Sequence, residues 1–191
     1  MKSIKNSQTE KNLLAAFAGE SQARNRYTFF SKQAEKEGYH QIGAIFLETA
    51  ENEAVHAKTF FKFLEGGEVE ITASYPAGVI GKTADNLKEA AAGENAEWTT
   101  LYKKAAETAA KEGYDKIAET FKEIAKVEYQ HEMRYKKLLS NIESDTVFKK
   151  PAPVKWKCRK CGYIHEGTTA PQICPACKHP QSYYEIKAEN F

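Results

Sequence analysis

Apolar and small residues recur every three to four positions through four long stretches, roughly residues 5–36, 40–64, 84–111 and 115–142. That period predicts four amphipathic helices, and the abundance of Ala, Glu and Lys within them agrees. "EGYH" and "EGYD" put Gly38 and Gly113 just past the first and third stretches, where a helix end favours glycine. Thr83 and Asp115 are expected to cap the starts of the third and fourth helices. Ile45, Phe46, Val55 and Phe60 are read as apolar residues available for burial. Between the second and third stretches, "EGGEVEITASYPAGVIGKT" (65–83) breaks the period and is too long for a turn. In a four-helix body it reads as a crossover that leaves helices two and three parallel, with short turns joining the other pairs.

The pattern also repeats. At an offset of 75, Tyr27 matches Tyr102, Ala34 matches Ala109, and Glu37-Gly38-Tyr39 matches Glu112-Gly113-Tyr114. Phe46, Glu48, Ala50, Glu53 and His56 match Phe121, Glu123, Ala125, Glu128 and His131. A helical hairpin has been duplicated, which implies a pseudo-symmetric bundle with equivalent positions facing each other.

Beyond the helices the composition changes. All four cysteines lie between residues 158 and 177, and five of six prolines lie at or beyond residue 151. The chain therefore divides into a helical domain (1–142), a linker (143–154) stiffened by "PAP", and a small cysteine-built domain (155–191). The formal charge of +2 provides no electrostatic reason to expect nucleic acid or an anionic membrane. No stretch approaches the ~20 apolar residues of a membrane span, and the N-terminus has no apolar core of signal-peptide length. A cytoplasmic protein is expected.

The duplicated segments carry chemistry. Glu53-Ala-Val-His56 and Glu128-Tyr-Gln-His131 are one pattern at matching positions, and an i, i+3 pair shares a helix face. Glu20 and Glu94 supply one further carboxylate from each of the other helices. This donor set suits two metal ions inside a bundle. Without cations, burying so many glutamates would force protonation or a large desolvation cost. In the tail, Cys158-x-x-Cys161 and Cys174-x-x-Cys177 form two knuckles able to place four thiolates around one ion. Spacing alone does not choose between zinc and iron there. Trp156, Tyr163 and Ile164 are expected to pack around the sulfurs, while His165, His179 and His40 are surplus to the sites. With no cysteine in the body, thiol-peroxidase chemistry is excluded from it.

The two Glu-x-x-His hairpins, the extra Glu97 and the cysteine tail resemble the rubrerythrin family over the full length of the chain. "CxxCGY" with "CPxC" resembles rubredoxin in particular. The resemblance implies a mainly α protein: a ferritin-like four-helix bundle with a long crossover between helices 2 and 3, plus a rubredoxin-like domain. It implies an oxo-bridged di-iron site, with Glu53 and Glu128 bridging, Glu20 and Glu94 terminal, and His131 on one iron throughout. The other iron would exchange Glu97 for His56 when reduced, and Tyr27 and Tyr102 would donate hydrogen bonds to ligating carboxylates. From the residues alone, those tyrosines serve equally well as core aromatics. The implied cofactor of the tail is one iron on Cys158, Cys161, Cys174 and Cys177.

The implied activity is reduction of hydrogen peroxide to water. Electrons would come from NAD(P)H through a reductase or a separate rubredoxin, in a homodimer whose tails approach the partner's di-iron sites. A ferritin-like ferroxidase or iron store is the alternative, and a zinc-stabilised interaction module is a second.

One asymmetry stands out. "GESQAR" (19–24) and "GENAEW" (93–98) are related, yet Glu20 precedes Tyr27 by seven residues and Glu94 precedes Tyr102 by eight. Seven residues are about two turns; an eighth rotates the tyrosine by roughly 100°. A one-residue π-type irregularity between Glu94 and Tyr102 would restore the alignment.

Overall fold

The computed structural model describes residues 2–189. Five α-helices and a short π segment build the body: α1 (Gln8–Lys36), α2 (His40–Phe61), α3 (Thr83–Ala96), the π segment (Glu97–Leu101), α4 (Tyr102–Lys111) and α5 (Asp115–Glu143). Helix α3, the π segment and α4 run on without interruption, so the bundle has four rods. The chain then forms β1 (Lys149–Cys158), β2 (Ile164–Thr169), a 3₁₀ turn (Gln181–Tyr183) and β3 (Tyr184–Ile186), with sheet order β2-β1-β3 and antiparallel pairing throughout. Among the described residues, no helix is long and apolar enough to cross a membrane.

Helix ends follow local chemistry. Ser7 accepts from the Glu10 amide, so α1 starts at Gln8 rather than at residue 5. Gly38 and Gly113 take φ of +84° and +80°, which lets the Tyr39 and Tyr114 amides reach back to Ala34 O and Ala109 O at 2.8 Å. The caps expected at Thr83 and Asp115 are displaced: both are first helical residues, and Lys82 and Tyr114 before them provide no side-chain cap. A distant carboxylate replaces the local one. Glu37, at the end of α1, accepts the Thr83 amide at 3.1 Å. Its repeat partner Glu112, at the end of α4, accepts the Gln8 and Thr9 amides at 3.1 and 2.9 Å. Each half of the duplication therefore caps a helix of the other half.

Aromatic packing shows the same pseudo-symmetry. Phe60 stacks on Phe121 at 4.8 Å and meets Tyr102 edge-on; seventy-five residues away, Tyr135 packs on Phe46 at 5.2 Å and meets Tyr27 edge-on. These two buried clusters fill the two ends of the bundle and leave a polar layer between them. They also set direction. The end of α2 meets the start of α5, and the start of α2 meets its end, so those helices are antiparallel. Since α4 turns back into α5, α2 and α3 run parallel, as the long crossover required. Phe46 and Phe60 are fully buried and Ile45 is partly so, but Val55 faces solvent at 61 % exposure.

The expected linker is partly sheet. Strand β1 begins at Lys149, and its pairing with β2 shifts register between Lys149 and Val154, where Pro151 and Pro153 cannot donate to the ladder. The tail rests on the α1–α2 turn: His40 stacks on Tyr183 at 3.8 Å and Tyr39 stacks on Phe148.

For Glu37 and Glu112, burial pushes the carboxyls up, but the donated hydrogen bonds outweigh it and hold both below the usual carboxylate range. Their folded pKa values lie under the unfolded ones, so the stabilisation is present at neutral pH and lost as pH falls through the carboxylate range. Glu112→Ala is expected to cost about 1 kcal/mol at neutral pH, and the gap to wild type should narrow below about pH 4. Thermal denaturation of both proteins across that range checks it.

Candidate metal centres

Two clusters meet in the polar layer between the aromatic ends. Glu20 of α1, Glu53 and His56 of α2 and Glu128 of α5 form one; Glu53, Glu94 of α3, Glu128 and His131 of α5 form the other. All six residues are buried, and within each cluster one donor atom per residue lies within 4.8 Å of the rest. Glu53 and Glu128 belong to both, as side chains placed between two ions must. His56 Nδ1 stands 2.9 Å from Glu53 Oε2 and from Glu128 Oε1; His131 Nδ1 stands 2.9 Å from Glu128 Oε2 and 3.1 Å from Glu53 Oε1. Donors about 2.1 Å from a shared octahedral ion are about 3 Å apart, so these spacings fit.

The polar atoms argue the same way. Glu20 Oε2, Glu53 Oε1, Glu94 Oε2, both Glu128 oxygens and His131 Nδ1 are buried with no aligned hydrogen-bond partner. Anionic oxygens in that condition are costly unless a cation lies among them. The protein groups strain against each other accordingly. Burial, then the charges of Glu53, Glu97 and Glu128, pushes Glu20 far above the carboxylate range, and burial lifts Glu94 to about 8. Burial acts on Glu53 too, but His131 and His56 overrule it and bring it to about 2. Burial disfavours charge on both imidazoles, yet the close carboxylates of Glu128 and Glu53 raise His56 to about 9 and His131 to about 12. Four carboxylates balance two divalent ions and relieve all of these conflicts together. The donor set fits a two-iron cofactor.

The expected irregularity is present. Residues 97–101 are π-helical, and the Tyr102 amide donates to Glu97 O, five residues back. Tyr102 Oη then donates to Glu20 Oε1 at 2.6 Å, and Tyr27 Oη to Glu94 Oε1 at 2.6 Å. Each tyrosine serves the glutamate of the opposite rod, a crossing that spacing did not foretell. Burial, followed by the adjacent glutamate, pushes both phenols well up, so they remain donors.

Glu97 stands apart. It belongs to neither cluster and lines a 640 Å³ cavity bounded by α1, the crossover around Tyr75 and the start of α4. Tyr75 Oη closes part of that wall by donating to Ala15 O at 2.8 Å. Burial, reinforced by Glu94, Glu128 and Glu53, holds the Glu97 carboxyl well above its usual range. Sequence reasoning missed two buried carboxylates: Glu10, which accepts the Asn6 amide at the start of α1, and Glu132, next to His131, whose glutamate-rich surroundings carry no spacing signal.

In the tail, the four sulfurs also lie within 4.8 Å of one another. Cys158 Sγ–Cys177 Sγ and Cys161 Sγ–Cys174 Sγ are both 3.7 Å. A disulfide would need about 2.05 Å, whereas four sulfurs about 2.3 Å from one tetrahedral ion are about 3.8 Å apart. Gly162 and Lys178 follow the knuckles with φ of +79° and +63°, folding each amide back onto Cys158 O or Cys174 O. Burial pushes the Cys174 thiol up, but the Tyr184 hydroxyl and nearby amides bring it down to about 6, favouring thiolate. Trp156 is buried beside Cys158, as expected, while Tyr163 and Ile164 turn out to solvent. Neither His165 nor His179 joins the sulfur cluster.

A family profile described as "Rubrerythrin" matches residues 11–139, about two thirds of the chain. The chain belongs to the rubrerythrin family. A second profile, "Rubrerythrin, rubredoxin-like domain", matches residues 156–185. Among curated relatives, the chain is 60% identical to a rubrerythrin of Porphyromonas gingivalis over 100% of this chain and 95% of the relative. It is 53% identical to a rubrerythrin of Nitratidesulfovibrio vulgaris over the full length of both. Among solved structures it resembles nigerythrin in a fully reduced, all-ferrous state, with TM-score 0.63, 29% identity, and coverage of 97% of this chain and 92% of that one. The cofactors of these two domains are therefore a di-iron pair in the bundle and one iron on the four cysteines.

Proposed function

We propose that this protein reduces hydrogen peroxide to water, with electrons relayed through its own four-cysteine centre. What carries the reading is the fusion of a two-metal carboxylate cluster to a one-metal thiolate cluster in a single chain. Two irons held in the bundle would supply two electrons to an O–O bond, and one iron on the cysteines would return them singly. Reduction of one peroxide also consumes two protons and yields two waters. A storage shell or ferroxidase would use the bundle but has no need of the thiolate centre.

The side chains divide the work. Glu53 and Glu128, shared by the two clusters, would hold both ions, Glu20 and Glu94 one each, and His131 would complete one site. Tyr27 orients Glu94 and Tyr102 orients Glu20 by the hydrogen bonds their hydroxyls donate. The cavity admits a small polar molecule past Glu97, whose raised pKa favours a carboxyl that retains its proton there. Glu97 and His56 would compete to hold one of the irons: His56 lies with the cluster and Glu97 outside it, and added positive charge would favour ionised Glu97, because a harder ion prefers carboxylate to neutral imidazole.

Electrons enter at the tail, where Cys161 is exposed and Cys177 half-exposed. A reductase drawing on NAD(P)H, or a separate rubredoxin, is the proposed donor in the cytoplasm. Within one chain the tail touches α2 at His40, thirteen residues from Glu53, or about 20 Å along the helix. That distance favours a homodimer in which each tail serves the partner's di-iron site.

Anaerobic reduction followed by one equivalent of peroxide should reoxidise both centres within mixing time, seen in their visible absorption; inertness toward peroxide would return the chain to the ferroxidase reading. Glu97→Ala removes the carboxylate that favours the oxidised pair, so the di-iron midpoint should rise by about 60 mV or more, a tenfold effect per electron. Redox titration showing no shift would refute the exchange. Mixing a Cys158→Ser chain with a Glu53→Ala chain should restore about a quarter of wild-type turnover, the share expected from random mixed dimers. No recovery in verified mixed dimers would place the electron path within one chain.

A further inference from the structure

The half of the bundle with the extra residue also carries a buried polar network that the other half lacks. Glu132 on α5 is 1 % exposed. Its Oε2 accepts Trp98 Nε1 at 2.5 Å, and both its oxygens lie 3.1 Å from Asn95 Nδ2. Lys136, one turn further along α5, pairs with the same carboxylate at 2.5 Å. Seventy-five residues back, Glu132 and Lys136 correspond to Ala57 and Phe61, which have no polar side-chain atoms to build such a network. The network thus accompanies the π segment and was not part of the duplicated pattern.

Its donors are well placed to matter. Asn95 and Trp98 flank Glu97 on either side. A π-bulge has no fixed address of its own, since one extra residue can be absorbed at several neighbouring turns by breaking the same ladder. Each one-residue slide turns the side chains it passes by about 100°. A slide would swing Asn95 or Trp98 away from Glu132 and leave a buried carboxylate short of donors, which is unfavourable. Two smaller contacts act in the same sense. The Thr99 hydroxyl donates to Asn95 O at 2.5 Å, and the Trp98 ring meets Tyr129 edge-on at 5.3 Å.

We propose that Glu132 is a positioning residue: through Asn95 and Trp98 it fixes the register of the π segment and so holds Glu97 at the cavity wall beside the metal clusters. The consequence for redox behaviour rests on the reading of Glu97 as an exchanging ligand, while the control of register does not.

The test uses the full-length, iron-loaded protein with Glu132→Gln, Glu132→Ala and Trp98→Phe. Hydrogen exchange followed by mass spectrometry should be accelerated about tenfold or more in peptides covering residues 93–103 of Glu132→Ala. Peptides from α2 and the first half of α5 should stay within about twofold of wild type. Glu132→Gln retains one acceptor oxygen and should fall between the two. Trp98→Phe keeps an aromatic ring against Tyr129 but loses the indole donor, so it reports on the same contact if Glu132→Ala does not fold. Unchanged exchange in 93–103, or acceleration spread evenly over all helices, would overturn the proposal. The di-iron midpoint of Glu132→Ala separates the two ideas. A shift in the direction of Glu97→Ala supports register acting through Glu97. Local loosening with no shift, while Glu97→Ala itself shifts, overturns that link. No shift in Glu97→Ala overturns the exchange reading alone and leaves the exchange kinetics to decide the register.

Discussion

Four glutamates and two histidines share the middle of a bundle whose two ends are packed with aromatic rings. Burial of that much ionisable surface is the constraint on which the rest of the structure depends. Burial and neighbouring negative charge push Glu20 and Glu94 above the carboxylate range, while the two imidazoles draw Glu53 below it. Two cations resolve it, which makes metal binding inseparable from stability in this layer. The ends are built to tolerate this centre. The Phe60–Phe121–Tyr102 and Tyr135–Phe46–Tyr27 groups supply dispersion and exclude water on both sides, and the two tyrosines turn their hydroxyls inward to the terminal carboxylates.

Pseudo-symmetry explains how so polar an interior is held in register. The duplication places like against like: glutamate caps on opposite helices, aromatic triads at opposite ends, crossed tyrosine–glutamate bonds in the middle. Function then departs from symmetry at one place. An additional residue after Glu94 forces a π segment, brings Tyr102 into line with Glu20, and sets Glu97 at the cavity wall, outside both clusters. Glu97 has no carboxylate counterpart in the first half of the duplication.

Several features were legible in the chain before any coordinates. The 3.6-residue period located the four rods to within a few residues, and the offset of 75 revealed the hairpin duplication. Paired Glu-x-x-His and Cys-x-x-Cys motifs named the four cysteines and four of the six bundle donors, because side chains three positions apart on a helix or in a knuckle are brought together by local geometry. The unequal spacing of Glu20–Tyr27 and Glu94–Tyr102 even revealed the π segment, since helical rotation per residue is nearly fixed.

What only the tertiary structure decided depends on contacts between distant segments. Glu37 and Glu112 cap helices 46 and 104 residues away, and Thr83 and Asp115 looked like caps only because a local rule cannot see them. Hydrophobicity points Val55, Tyr163 and Ile164 inward, but the packing leaves them exposed. The crossing of tyrosines to the opposite glutamates, the burial of Glu132 against Trp98, and the separation of Glu97 from both clusters follow from how the rods are rotated against one another. Sequence determined which groups are present and which helix face each shares; rotation and packing decided which of them meet.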